Sequence, residues 1–265
     1  MTYLVVVLFV LGLCIGSFVN VLIDRLPKGQ NPLRGRSRCD HCRKTLQPID
    51  LIPLLSFVLL RGKCRYCHKK LSWQYPLIEL VTGLLFVGLF MYLNNSSATE
   101  LFSIFWVNYL ALLSVFTSLL VIFVADLKYQ IIPDEMLISS FIGITLLLFI
   151  KARFYHISIY DNVWAAIVAA TFFGLIYLVT KGRGMGLGDV KLVGVLGFLL
   201  GWPQTLVGIY AGFLTGALFS IILVLRSHKK WRDKIAFGPF LVLGAIIAFF
   251  YSTQITQWYL SLFRF

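Results

Sequence analysis

The sequence predicts an all-α polytopic membrane protein of about eight transmembrane helices with one cysteine-bearing cytoplasmic insert. Three observations predict it. Hydrophobic residues make up 59% of the 265 and charged residues 13%, against roughly 25% charged in an ordinary soluble domain. Apolar runs repeatedly approach or exceed the roughly 17–25 residues that cross a bilayer. The basic residues gather on one side of the topology those runs imply, as cytoplasmic loops do.

The first run, 3–23, is read as a retained span. No basic residue precedes it, and no small-x-small cleavage site follows cleanly. Leu13 is too bulky, just before Cys14, for a lipoprotein cleavage box, and Cys14 reads as a small packing residue. Residues 24–75 form the insert. Within it, 49–60 is too short to span and holds Pro53, which suits an interfacial or packed segment. Seven runs follow at 76–93, 101–125, 137–150, 163–180, 188–200, 204–225 and 236–252, so that 76–265 reads as one seven-helix region. Two of them, 137–150 and 188–200, are short and need sheltering neighbours or extended ends. Gly12-x3-Gly16 and Gly208-x3-Gly212-x3-Gly216 let helices approach closely. The sequence shows no internal repeat.

Placing 24–75 in the cytoplasm puts 12 Lys and Arg there. Lys128, Lys181, Arg183, Lys191 and five more between Arg226 and Lys234 fall on the same side, and only Lys151, Arg153 and Arg264 opposite. Both termini are then expected outside. The same bias accounts for the net charge of +13 without a nucleic-acid partner, since no basic stretch is interleaved with stacking aromatics on a soluble module.

Four of the five cysteines stand as Cys39-Asp-His-Cys42 and Cys64-Arg-Tyr-Cys67, with 21 residues between the pairs. Each short turn aims two sulfurs at one tetrahedral ion, so the four read as a zinc site. A reducing cytosol disfavours the disulfide alternative. His41 and His68 flank the knuckles, but four thiolates already close the shell, which makes the zinc structural.

Only 11 Asp and Glu exist. Asp126 lies at the cytoplasmic end of the third span, and Asp189, after Gly186-Leu-Gly188, opens the sixth. The charge-derived topology sets both at one face and similar depth. Two neighbouring carboxylates push their proton affinities apart, leaving one to activate water and one to donate a proton, which is what peptide hydrolysis needs. The glycines would let backbone approach the reacting peptide, and Lys128 and Lys191 could moderate the charge. Asp134 and Glu135 read first as helix N-terminal acids. No Gly-x-Ser-x-Gly elbow is present, and histidines 41, 68, 156 and 228 have no evident serine partner. A transporter or channel using Asp126 and Asp189 for ions or protons is the rival reading.

These residues, in order, resemble the bacterial type IV prepilin peptidases, membrane aspartic proteases of the Gly-x-Gly-Asp type. The resemblance runs through Gly16-Ser-Phe-Val-Asn20-Val with Arg25-Leu-Pro27, the paired knuckles and Ile52-Pro-Leu-Leu-Ser56. It continues through Tyr75-Pro-Leu-Ile-Glu79-Leu, Asp126 with Ile132-Pro-Asp134, and Gly186-Leu-Gly-Asp189-Val-Lys191. It implies removal of the basic leader from prepilins and pseudopilins at the cytoplasmic membrane face, with Asp126 and Asp189 catalytic. Members with such a cysteine-bearing loop also methylate the new N-terminus from S-adenosylmethionine. The resemblance maps that step onto the insert and Glu79, with a methyltransferase lacking protease activity as the third alternative. Asp40 is a local departure, where many members of that family carry proline after the first cysteine.

Overall fold

A computed structural model describes residues 2–96, 102–225 and 236–261. The predicted basic cluster between Arg226 and Lys234, with His228, and Arg264 lie outside the described residues. The chain is helical in the order α1 (Thr2–Arg25), α2 (Leu55–Leu59), α3 (Gln74–Ser96), α4 (Phe102–Tyr129), α5 (Asp134–Phe154), α6 (Tyr160–Thr180), α7 (Leu187–Leu200), α8 (Gln204–Leu225) and α9 (Gly238–Ser261). Seven of these are long and apolar enough to cross a membrane. The exceptions are α2 and the 14-residue α7. At about 1.5 Å per residue, α7 reaches only some 20 Å, short of the roughly 30 Å hydrocarbon core. The segment at 137–150 gains length at both ends instead, because Pro133 caps α5, acids occupy its first turn and Lys151 and Arg153 its last, matching the helix dipole.

The chain divides into two compact units, Met1–Thr117 and Ser118–Phe265. In the first, α1 and α3 pack backbone to backbone. A Cβ added at Gly12 would lie 2.8 Å from Gly83 Cα, and one at Gly16 would lie 2.7 Å from Glu79 Cα, so neither helix tolerates a larger residue there. Asn20, buried on α1, donates its side-chain amide to Tyr75 O at 3.1 Å and Gly16 O at 3.3 Å, fixing the start of α3 against it. Cys14 is exposed on α1, which corrects the packing role expected of it. The apolar stripe facing α3 is set by Gly12 and Gly16, and Cys14 falls on the other side.

In the second unit, α8 and α9 make the closest crossing. Gly244 meets Gly208 O and the Gly212 backbone so tightly that no Cβ fits. Similarly, α7 lies on α6 through Gly197, where a Cβ would sit 2.9 Å from Ala165 O. The Asn162 amide donates to Phe198 O at 3.0 Å and so serves a carbonyl at the end of α7. These crossings leave the N-terminal ends of α7 and α9 to converge near the last turn of α4.

Candidate functional site

Asp126 sits one turn from the end of α4 and is 6% exposed. Its Oδ2 accepts the backbone N–H of Gly238, the first residue of α9, at 3.0 Å. A first-turn N–H has no partner inside its own helix, so the carboxylate supplies one where the helix dipole favours negative charge. Only glycine fits at this position, because a Cβ at 238 would lie 2.6 Å from Asp126 Oδ2.

Asp189 occupies the first turn of α7, half-buried, and its Oδ2 accepts the Gly186 N–H at 3.2 Å. The turn that carries Asp189 and the helix start that holds Asp126 meet at one residue, because Gly188 and Gly238 both lie against Ile132. Ile132 fills the space beside both, since a Cβ at Gly188 would lie 3.2 Å from Ile132 Cβ and one at Gly238 would lie 3.3 Å from Ile132 Cδ1. Gly188 therefore makes room for Ile132. Lys191 does not partner the dyad. Its ammonium contacts both oxygens of Asp134 at 2.8 and 2.9 Å, tying the start of α7 to that of α5. Both side chains are largely exposed, and such pairs orient more than they stabilise. Sequence reasoning missed Gly238 and named Ile132 only within the Ile132-Pro-Asp134 motif, without a role. Phe237-Gly-Pro-Phe240, a glycine–proline step at the mouth of the last span, was the available signal.

A second constellation lies in the first unit. Glu79, buried on α3, accepts the Leu54 N–H on Oε2 at 2.8 Å, and the Ser17 side chain also reaches it. Leu54 holds φ +57, ψ −48, a region a side-chain-bearing residue adopts only at a cost. The Glu79 carboxylate helps hold it there. A cleft of about 520 Å³ opens beside Glu79, bounded by α1 at Ser17 and Asp24 and by the insert at Asp40 and Phe57. Tyr75 donates its hydroxyl to Asp40 Oδ2 at 2.9 Å, so the position that departs from the family pattern braces the insert against α3.

The four sulfurs of Cys39, Cys42, Cys64 and Cys67 lie within 4.8 Å of one another. Cys39 and Cys67 Sγ are 3.9 Å apart. A tetrahedron with metal–sulfur bonds of about 2.3 Å has edges of about 3.8 Å, so this donor set fits a metal. His41 and His68 are exposed and outside the cluster. The two knuckles are near copies. Cys39 N–H donates to Lys44 O and Cys64 N–H to Lys69 O, while Arg43 N–H and His68 N–H return to Cys39 O and Cys64 O. Arg43 and His68 both have positive φ, and each knuckle is closed by one bridge, Arg38 with Thr45 and Lys63 with Lys70. The insert thus holds a local repeat that the residue letters hide. Without metal, burial pushes the Cys39 thiol up to about 11. Burial opposes ionisation of Cys64 too, but the N–H groups of Cys67 and Tyr66 and the neighbouring thiols bring it down to about 7.

Residues 10–93 match the bacterial peptidase A24 N-terminal domain, and residues 111–221 match the type IV leader peptidase family. The chain belongs to that family and is an enzyme of the leader peptidase class, which replaces the transport reading. Among its relatives is the prepilin leader peptidase/N-methyltransferase of Bacillus subtilis, 34% identical over 97% of this chain and 98% of that one. Proteins of the same name from Aeromonas hydrophila and Pseudomonas aeruginosa are 32% and 30% identical, covering 96% and 95% of this chain and 93% and 91% of theirs. No solved structure gives a significant match.

Proposed function

We propose that this chain cuts the basic leader from type IV prepilins and pseudopilins at the cytoplasmic face of the bacterial membrane, and then methylates the new N-terminus. Asp126 and Asp189 carry the cleavage. One carboxylate, ionised, takes a proton from water as it attacks the scissile carbonyl, and the other, protonated, donates to the developing oxyanion or leaving nitrogen. The observation that carries this reading is the pair of carboxylates whose helix starts meet at Ile132, each anchored by a backbone N–H there. The charge bias of the loops supports the cytoplasmic face and outward termini.

Methyl transfer is assigned to the cleft beside Glu79, with S-adenosylmethionine as donor. The cleft is lined by both signs of charge: Asp24, Asp40 and Glu79 suit a cationic sulfonium and a free amine, and Arg25, Lys28, Arg36 and Arg38 suit the donor's carboxylate. Cys39, Cys42, Cys64 and Cys67 would hold a structural zinc, which leaves no open coordination position for chemistry and instead cross-links the two knuckles.

One experiment tests both activities. Purified chain is incubated with a prepilin peptide, with and without S-adenosylmethionine, and mass spectrometry follows cleavage and methyl gain. Asp126→Asn and Asp189→Asn should each abolish cleavage while inserting normally, and the double variant should be scarcely worse, because such residues act as a unit. Brisk cleavage by a properly inserted single variant would remove the dyad assignment.

A further inference from the structure

The insert carries an apolar groove apart from the residues assigned to either reaction. Its volume is about 570 Å³, with Val58 and Trp73 of the insert on one side and Leu77 and Leu80 of α3 on the other. Val58 is 69% exposed, Trp73 76% and Leu77 57%, which on a soluble loop would leave a contiguous apolar patch in water. Trp73 immediately precedes α3, and Leu77, Leu80 and Leu84 continue along the exposed side of that helix. The groove is therefore continuous with the lipid-facing surface of a membrane-spanning helix. Phe57 braces the indole, their ring centroids 5.0 Å apart, at the level where tryptophan favours the membrane interface.

The rim of the groove is cationic. Arg61, Lys63 and Lys70 line it, all exposed, and none pairs with a carboxylate among the described residues. Lys63 and Lys70 stand opposite one another across an antiparallel bridge, where like charges repel. An anion seated between them relieves that repulsion.

We infer that the groove binds an anionic phospholipid, with its phosphate on Arg61, Lys63 and Lys70 and its upper acyl chain along Val58, Trp73 and Leu77, so that the insert rests on the bilayer surface. Charge decides the occupant: a basic leader is repelled by this rim, whereas a phosphodiester is attracted. The inference rests on α3 crossing the bilayer and not on the assignment of either reaction, so it stands or falls separately from them.

The test uses the full chain in neutral detergent, titrated with phosphatidylglycerol or phosphatidylcholine, with retained lipid counted by native mass spectrometry. One phosphatidylglycerol should be held about tenfold or more tightly than phosphatidylcholine. The triple variant Arg61→Gln/Lys63→Gln/Lys70→Gln should lose that preference, and Val58→Ser/Trp73→Ser should weaken binding of both lipids. A charge-matched control outside the insert's knuckles, Arg34→Gln/Lys181→Gln/Arg183→Gln, should keep the preference, and thermal midpoints measured alongside separate binding loss from unfolding. Equal retention of the two lipids by the wild type, or an undiminished preference in a folded triple variant, overturns the inference. So does full competition by glycerol phosphate, which would mark a simple anion site, or displacement of the lipid by a peptide of the prepilin apolar segment, which would mark a substrate groove.

Discussion

Gly238→Ala places one methyl group where the structure has no room for it. The added Cβ would lie 2.6 Å from Asp126 Oδ2 and 3.3 Å from its Cγ, against about 3.5–4.0 Å for relaxed contact between non-bonded carbons. Either the carboxylate or the start of α9 must move by about an ångström, and the 3.0 Å bond from Gly238 N–H is strained or lost. Hydrogen bonds to charged groups contribute about 1.5–3 kcal/mol, and misplacing a reacting group by about 1 Å costs on the order of 100-fold in rate. Both estimates point to a fall of about 10- to 100-fold in kcat for leader cleavage, with KM little changed because residue 238 meets the carboxylate and not the peptide. The assay follows cleavage of a prepilin peptide in detergent by mass spectrometry, with methylation of a pre-cleaved peptide as internal control, since Glu79 and its cleft belong to the other compact unit. Gly216→Ala is the comparison on packing grounds. The nearest atoms to its Cβ belong to the Phe240 side chain, at 3.3 Å, and it should cut at near the wild-type rate. If Gly238→Ala cleaves within about twofold of wild type, Asp126 does not depend on this contact and the geometric account of the dyad is wrong.

The remaining predictions concern the first unit. The purified chain should contain about one zinc, measured by elemental mass spectrometry of protein prepared without chelator. Acidification should release it as the thiolates protonate, and Cys39→Ser or Cys67→Ser should expose the insert to limited proteolysis. Glu79→Gln keeps a carbonyl oxygen for the Leu54 N–H but removes the charge. It should therefore leave the insert folded and leader cleavage near wild type, while lowering methyl transfer from S-adenosylmethionine by about tenfold or more, as loss of a charged contact does. A stable Glu79→Gln variant that methylates normally would reduce Glu79 to a brace for Leu54.

What the sequence made legible divides along physical lines. A bilayer span is a matter of composition over about 20 residues and needs no partner, so the long helices could be read directly from apolar runs. The same logic serves α7 less well, since its 14 residues fall short of a lone span and are sheltered by α5, α6, α8 and α9 packed against them. The four cysteines were equally legible, since ligand spacing is local, yet the likeness of the two knuckles was not. Backbone bonds such as Cys39 N–H to Lys44 O and Cys64 N–H to Lys69 O leave the intervening letters free to differ. Leu54 carries no mark of its positive φ, because the cost is borne by Glu79, 25 residues away, and not by a glycine. Asp126 shows the limit most clearly. Counting Lys and Arg could set its depth, but its partner is a backbone N–H 112 residues later, marked in the sequence only by the Gly238-Pro239 step. The consequence concerns mechanism as much as prediction. Because α9 is packed on α8 through the Gly208–Gly212–Gly244 crossing, the placement of a carboxylate on α4 depends on a helix pair that contributes no side chain to the dyad, and close packing of small residues far from Asp126 is part of what holds its carboxylate in position.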